Sequence, residues 1–361
     1  MLGGVVTHHY SSAITGFSMK LDASQLDQLL LQPDILYVEE NQVGTLDDVN
    51  DYETYSEQYD VESWGLDRVD QKSSIPDGFY RYTPSGSGVM VYVVDSGIYR
   101  YSDEFENKII RHHVFQHEDD GSGAEDCIFH GTHVAGIATG SDYGVAKDAD
   151  LWSMKVINCS GETTSILVVL ALDNINDNAV KPSVVNISLN MGTSNTVKDA
   201  VNNLINNGIP VVVSAGNDKR DACLQVPANV TNTITVAATD ANDQRSTWSD
   251  ESESNWGSCV DIFAPGTDIL SAGNTWLGDT GIKSGTSMST PFVTGAVALY
   301  LELHPKATPA EVKAALIENS TKDIVIDPKG SPNRLLNTQF LIDKPQDDYA
   351  YLIPILYLLL N

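Results

Sequence analysis

Five short runs rich in Val and Ile lack polar alternation: VMVYVVD (89–95), DLWSMKVI (150–157), SVVNIS (183–188), IPVVVSAG (209–216) and TITVAA (233–238). A strand apolar on both sides is covered on both faces. Between these runs, TTSILVVLALDNIND and NTVKDAVNNLINNG repeat their apolar residues at helical intervals. Strands of that kind alternating with helices predict βαβ units, hence an α/β fold with a doubly wound, mainly parallel sheet over residues 63–340. Sites in such sheets form at the carboxyl ends of strands and the amino ends of helices, so chemistry is sought there.

Four segments place reactive side chains at such ends. VMVYVVD closes on Asp95, a carboxylate near the core that needs a hydrogen-bonding partner to offset its desolvation. HGTHVAGIATG opens a helix of small residues, with His130 before its first turn, where an imidazole reaches across the strand ends toward Asp95. His133, one turn later, is expected to pack. A zinc reading fails on ligand count, since no glutamate or third ligand accompanies the two histidines. SGTSMSTPFVTGAVALYL puts Ser287 at a helix start, with Pro291 expected in the first turn, so that negative charge on a serine adduct would face backbone donors at the positive helix end. VVVSAGND delivers Asn217 after a buried strand, where its amide can donate to an oxyanion. Any one of these is weak: an isolated Ser-Gly-Thr is usually a loop, and a lone Asn-Asp is usually a turn.

In the order Asp95, His130, Asn217, Ser287, the segments VVDSGI, HGTHVAG, SAGN and GTSMSTP resemble the four signatures of the subtilisin-like serine proteases. WGLDRVDQ, DIFAPGTDI and SPNRLLN resemble the proteinase K branch, and the likeness covers about residues 63–338. The resemblance implies a monomeric endopeptidase acting on proteins or peptides. Ser287 would be its nucleophile, His130 the general base, Asp95 the orienting carboxylate, and Asn217 with the Ser287 amide the oxyanion hole. It also implies substrate contacts at Ser188, Leu189, Asn190, Ala215 and Gly216, and no catalytic cofactor. A structural calcium is expected at Asp261 and the carbonyls of Thr231 and Thr233.

Cys127, Cys159, Cys223 and Cys259 form no Cys-x-x-Cys pair, which removes zinc-ribbon and thioredoxin readings and favours disulfides. In the extracellular relatives the resemblance points to, the first pairs with the second and the third with the fourth. Closing loops of this length contributes about 3–4 kcal/mol each. Disulfides belong to an oxidising compartment, so an extracellular or secretory location is expected.

Residues 1–46 read as a small α+β unit. FSMKL is a strand, Asp22 or Ser24 caps a helix carrying Leu26, Leu29 and Leu30, Pro33 ends it, and ILYVEENQV is a second strand. FSMKL and PDILYVEEN resemble the inhibitory propeptide of the same family, which is ferredoxin-like. Its opening strand and an export signal are absent from the sequence as written, so an upstream start is expected. The acidic, Tyr-rich stretch 47–62 reads as a linker, with a maturation cut expected between about Tyr55 and Ser63. The tail, 341–361, carries the apolar YAYLIPILYLLL, which falls short of the ~20 residues of a transmembrane helix. It is read as a packed or frayed terminus, a truncated anchor or a processing signal.

The balance of 49 acidic to 21 basic residues, a net charge of −28, repels nucleic acid and anionic membranes. Two departures from the family bear on activity. Ile128 and Phe129 stand before His130 where relatives have Asn and Gly, and Asn190 and Met191 replace two glycines that line the specificity pocket and pair with substrate backbone. These keep open a second reading, a secreted binding protein with little turnover. The presence of all four catalytic side chains favours the enzyme.

Overall fold

A computed structural model describes residues 5–10, 16–40, 56–106, 108, 110–115, 123–273, 280–342 and 356–360. Two compact units divide the chain: residues 1–54 with 343–361, and residues 55–342.

In the first unit, strands β1 (Val5–Tyr10), β2 (Gly16–Lys20) and β3 (Ile35–Glu40) flank helix α1 (Ala23–Leu30) in sequence. Asp22 caps α1 through a capping box with Gln25. Met19 and Leu29 form a small core with Phe17, Leu21, Ile35 and Val38 around them. A further strand from the chain's other end, Leu356–Leu360, pairs antiparallel with both β2 and β3, giving the order β1, β2, Leu356–Leu360, β3. The last residues of the apolar stretch, Leu356–Leu360, thus fill a central place in this sheet. Residues 41–55, which carry the expected path from ILYVEENQV toward Ser287 and most of the linker, lie outside the described residues.

The second unit begins with β4 (Ser56–Tyr59), α2 (Trp64–Val69) and β5 (Phe79–Tyr82). The stretch read as linker therefore contributes a strand, β4, which pairs antiparallel with β5. There follow β6 (Met90–Asp95), β7 (Ile110–Val114), α3 (His130–Thr139), β8 (Asp150–Lys155), α4 (Ser165–Asn178), β9 (Ser183–Ile187) and α5 (Asn195–Asn206). Then come β10 (Val211–Ser214), β11 (Ile234–Thr239), β12 (Ile262–Pro265), β13 (Ile269–Ala272), β14 (Thr280–Lys283), α6 (Thr286–Leu303) and α7 (Pro309–Asn319), before β15 (Thr321–Lys322), β16 (Arg334–Leu335) and α8 (Gln339–Ile342).

The main sheet runs β15-β16-β12-β11-β10-β9-β6-β8-β7, parallel except for the β15/β16 pair. All five Val/Ile runs are parallel strands within it, and both sides of β6 are buried. Val91 and Val93 pack into a core with α3 and α6, while Tyr92 and Val94 pack into a second core with α4 and α5. Helices therefore cover both faces. The chain leaves β6 toward β8 and β7, then crosses back to β9 on the other side, which makes the carboxyl ends of β6 and β9 the switch-point crevice. No described helix is long and apolar enough to cross a membrane.

Candidate active site

Asp95 ends β6 with its side chain fully buried. Its Oδ1 accepts from the Ser96 N–H at 2.7 Å and meets His130 Nδ1 at 2.8 Å. A carboxylate only accepts, so Nδ1 carries the proton and Nε2 is left as the basic nitrogen. Burial works to lower the His130 pKa, but the charge and hydrogen bond of Asp95 outweigh it and hold the imidazole above its ordinary value.

His130 opens α3, and that helix end is fixed by Asp126, which the sequence reading missed. Its carboxylate accepts from the N–H groups of Ile128, Phe129 and Thr132 and from the hydroxyls of Thr132 and Ser96. Ser96 Oγ in turn accepts from the Gly131 N–H at 2.9 Å, tying the helix to the strand that carries Asp95. Phe129 adopts a left-handed φ of 57°. Such backbone costs a side chain about 1–2 kcal/mol, which is the physical reason glycine suits this place. His133 packs as expected: burial lowers it to about 4, and Nε2 faces the carbonyls of Ile269 and Gly281 at 3.0 Å each.

Ser287 is the second residue of α6, whose cap, Gly285, offers no side chain to the first N–H groups. Pro291 lies in the second turn of this helix, one turn later than expected. Lacking an N–H, it leaves the Ser287 carbonyl without a helical partner. That carbonyl accepts from Ser188 Oγ–H at 3.0 Å, while Ser287 Oγ–H donates to the Ser188 carbonyl at 3.1 Å. This reciprocal clasp joins α6 to the end of β9, and it points the Ser287 hydroxyl at Ser188.

Asn217 follows β10 across Gly216, whose φ is 98° and where an added Cβ would lie 2.2 Å from Gln225 Oε1. Its Oδ1 accepts from both the N–H and the hydroxyl of Thr286, at 2.9 and 2.8 Å. Pinning the oxygen orients the amide and leaves Nδ2 as its outward donor. Asn217 and Ser287 line one cavity of about 330 Å³, with Leu189, Asn190, Met191, Gly192, Gly216, Asp218, Arg220 and Gln225. Of the expected substrate contacts, Leu189, Asn190 and Gly216 face this cavity. Ser188 instead supports Ser287, and the Ala215 carbonyl accepts from Asn255 Nδ2. Asn190 Nδ2 donates across to Ser214 Oγ at 2.8 Å. The Met191 backbone pairs both ways with Val226, which takes it out of any pairing with substrate.

Two disulfides, Cys127–Cys159 and Cys223–Cys259, use all four cysteines in the expected pairing. The first starts next to Asp126 and closes a loop that contains Ile128–His130, and the second starts a few residues after the Asn217 turn.

Residues 86–339 match the subtilase family. The chain is a subtilase. Residues 4–47 match the peptidase inhibitor I9 family, which makes that stretch an I9 propeptide region. Over 339 residues it is 42% identical to an extracellular serine proteinase from Thermus sp. strain Rt41A, covering 94% of this chain and 79% of that protein. It is 38% identical to alkaline serine exoprotease A of Vibrio alginolyticus, over 94% of this chain and 61% of that one. A cold-adapted subtilisin-like serine proteinase of known structure superposes with a TM-score of 0.72 at 40% identity, over 76% of the subtilase and 97% of its own chain. The subtilase is a serine-type endopeptidase.

The residues expected to hold calcium also come together, but around a side chain. Lys313 Nζ lies 2.8 Å from Asp261 Oδ1, 3.1 Å from the Thr231 carbonyl and 2.7 Å from the Thr233 carbonyl. With an ammonium among its donors, this set does not fit a divalent cation, because the two like charges would stand a hydrogen-bond length apart.

Proposed function

We propose that this subtilase hydrolyses peptide bonds with Ser287 as nucleophile, working outside the cell after removing its own propeptide. One observation carries the reading: Asn217, oriented by Thr286, and Ser287, at a helix start whose cap residue has no side chain, line the same cavity. For attack, the Ser287 hydroxyl turns from the Ser188 carbonyl to Nε2 of His130, which takes the proton as Oγ bonds to the substrate carbonyl carbon. The resulting oxyanion accepts from Asn217 Nδ2 and the Ser287 N–H. His130 then protonates the leaving amine as the C–N bond breaks. Water, giving its proton to His130, releases the acid from the acyl-enzyme and regenerates the serine. Throughout, Asp95 holds the imidazole in one tautomer and offsets its positive charge.

Asn190 narrows the cavity by crossing to Ser214, which favours small side chains on the acyl side of the cleaved bond. The pairing of β4 with β5 inside the second unit supports a propeptide cut before Ser56, at the start of the expected window from about Tyr55 to Ser63. The extracellular location rests on the two disulfides and on the likeness to the extracellular serine proteinase of Thermus.

A fluorophosphonate probe applied to the processed protein tests the reading. It should label Ser287 alone, and Ser287→Ala should lose both labelling and peptide hydrolysis by several orders of magnitude. A folded Ser287→Ala variant that still cleaves peptide at a near-normal rate would sink it.

A further inference from the structure

Asp261, Thr231 and Thr233 stand where β11 and β12 begin, at the end of the sheet opposite to Asp95 and Ser214. The Lys313 side chain arrives there from α7. An ammonium has three N–H donors, and each meets one acceptor: the carbonyls of Thr233 and Thr231 and Oδ1 of Asp261. The remaining carboxylate oxygen accepts from the Thr235 N–H at 2.9 Å, and the Asp261 N–H donates to the Thr235 carbonyl at 2.9 Å. Every oxygen of the expected cage thus has a partner from the chain itself. Calcium, by contrast, takes six to eight oxygens at about 2.3–2.6 Å.

We propose that Lys313 is a built-in cation that replaces the expected calcium, so that this corner of the catalytic unit is held without metal. The same three oxygens picked out as ligands converge on one nitrogen, with the ion-paired side chains of Lys313 and Asp261 only 20% and 19% exposed. An ordinary surface pair joins two side chains. This one joins a helix to the starts of two neighbouring strands. A bound metal stabilises in proportion to the logarithm of its free concentration, whereas a covalently carried ammonium is present at any calcium level. The consequence is a fold whose α7-to-sheet junction does not loosen when calcium is scarce.

Thermal unfolding of the full chain tests this, with Ser287→Ala present to prevent self-digestion. Each protein is melted in chelator and again in millimolar calcium. Lys313→Ala, and Lys313→Met, which keeps most of the stem, should each lower Tm in chelator by about 3 °C or more. With the ammonium gone, the freed oxygens accept calcium, and the Tm gain on adding it should be larger in Lys313→Ala than in the parent. In the parent, any gain from calcium should survive Asp261→Asn, because it would arise elsewhere. The proposal is overturned if the parent gains Tm from calcium and Asp261→Asn abolishes that gain. It is equally overturned if Lys313→Ala and Lys313→Met melt with the parent in chelator.

Discussion

Asp95 combines full burial with a single charged contact at the imidazole, and its second oxygen, Oδ2, has no partner among the described residues. The field it projects onto His130 is therefore poorly screened. His130 must be neutral to act as a base, and Asp95 raises its pKa, so activity should rise with pH through a limb above the ordinary imidazole value. Asp95→Asn removes the charge that raises it. The acid limb of the kcat/KM profile should move to lower pH while kcat falls roughly 10⁴-fold. A limb that stays in place would mean that Asp95 does not set it. Asn190 is the other residue with a readable consequence. Removing its side chain in Asn190→Gly opens the space up to Ser214. kcat/KM for peptides with Phe at the cleaved bond should then gain about 10-fold over those with Ala. An unchanged ratio of the two would show that Asn190 does not gate the cavity. Both residues were legible in the sequence, one from its strand end and the other as a departure from paired glycines. Asp126 was not, because a carboxylate in a loop gains its role only from the N–H groups the fold collects around it.

At the scale of elements, the helix starts carry the site. The sequence reading placed Ser287 at a helix amino terminus and Asn217 after a buried strand, and those placements agree with the structure. It put Pro291 one turn too early, since proline is most at home in the first turn of a helix. In the second turn it instead releases the Ser287 carbonyl to Ser188, which couples β9 to α6. The packing of α6 against α3 depends on small residues: a Cβ at Gly295 would lie 3.0 Å from the Ala138 carbonyl oxygen of α3 and 2.5 Å from the Val145 Cβ. β4 was read as linker because its four residues, SEQY, have no apolar alternation. What makes it a strand is its partner β5, which lies more than twenty residues away.

For the whole molecule, the joining of the two chain ends in one sheet was the least visible feature. The strand Leu356–Leu360 lies between β2 and β3, so a fragment of residues 1–54 alone lacks a central strand. Fusing residues 343–361 to that fragment through a short flexible linker should therefore give a tighter inhibitor of a processed enzyme that ends at Ile342 and so cannot supply the strand itself. Titration against hydrolysis of a chromogenic peptide measures the difference, and equal inhibition by both fragments would mean that the tail strand contributes nothing. By itself the sequence determined the parallel sheet, through runs with no polar face, and the identity and order of Asp95, His130, Asn217 and Ser287, through local patterns at strand and helix ends. The oxygens around Asp261 came only from the likeness to the proteinase K branch. The tertiary structure alone decided what those oxygens hold, and which strand completes the propeptide sheet. Carbonyl ligands and strand partners leave no mark in side-chain identity: nothing in the sequence around Lys313 marks it out until folding carries it across some 80 residues of chain to Thr231 and Thr233.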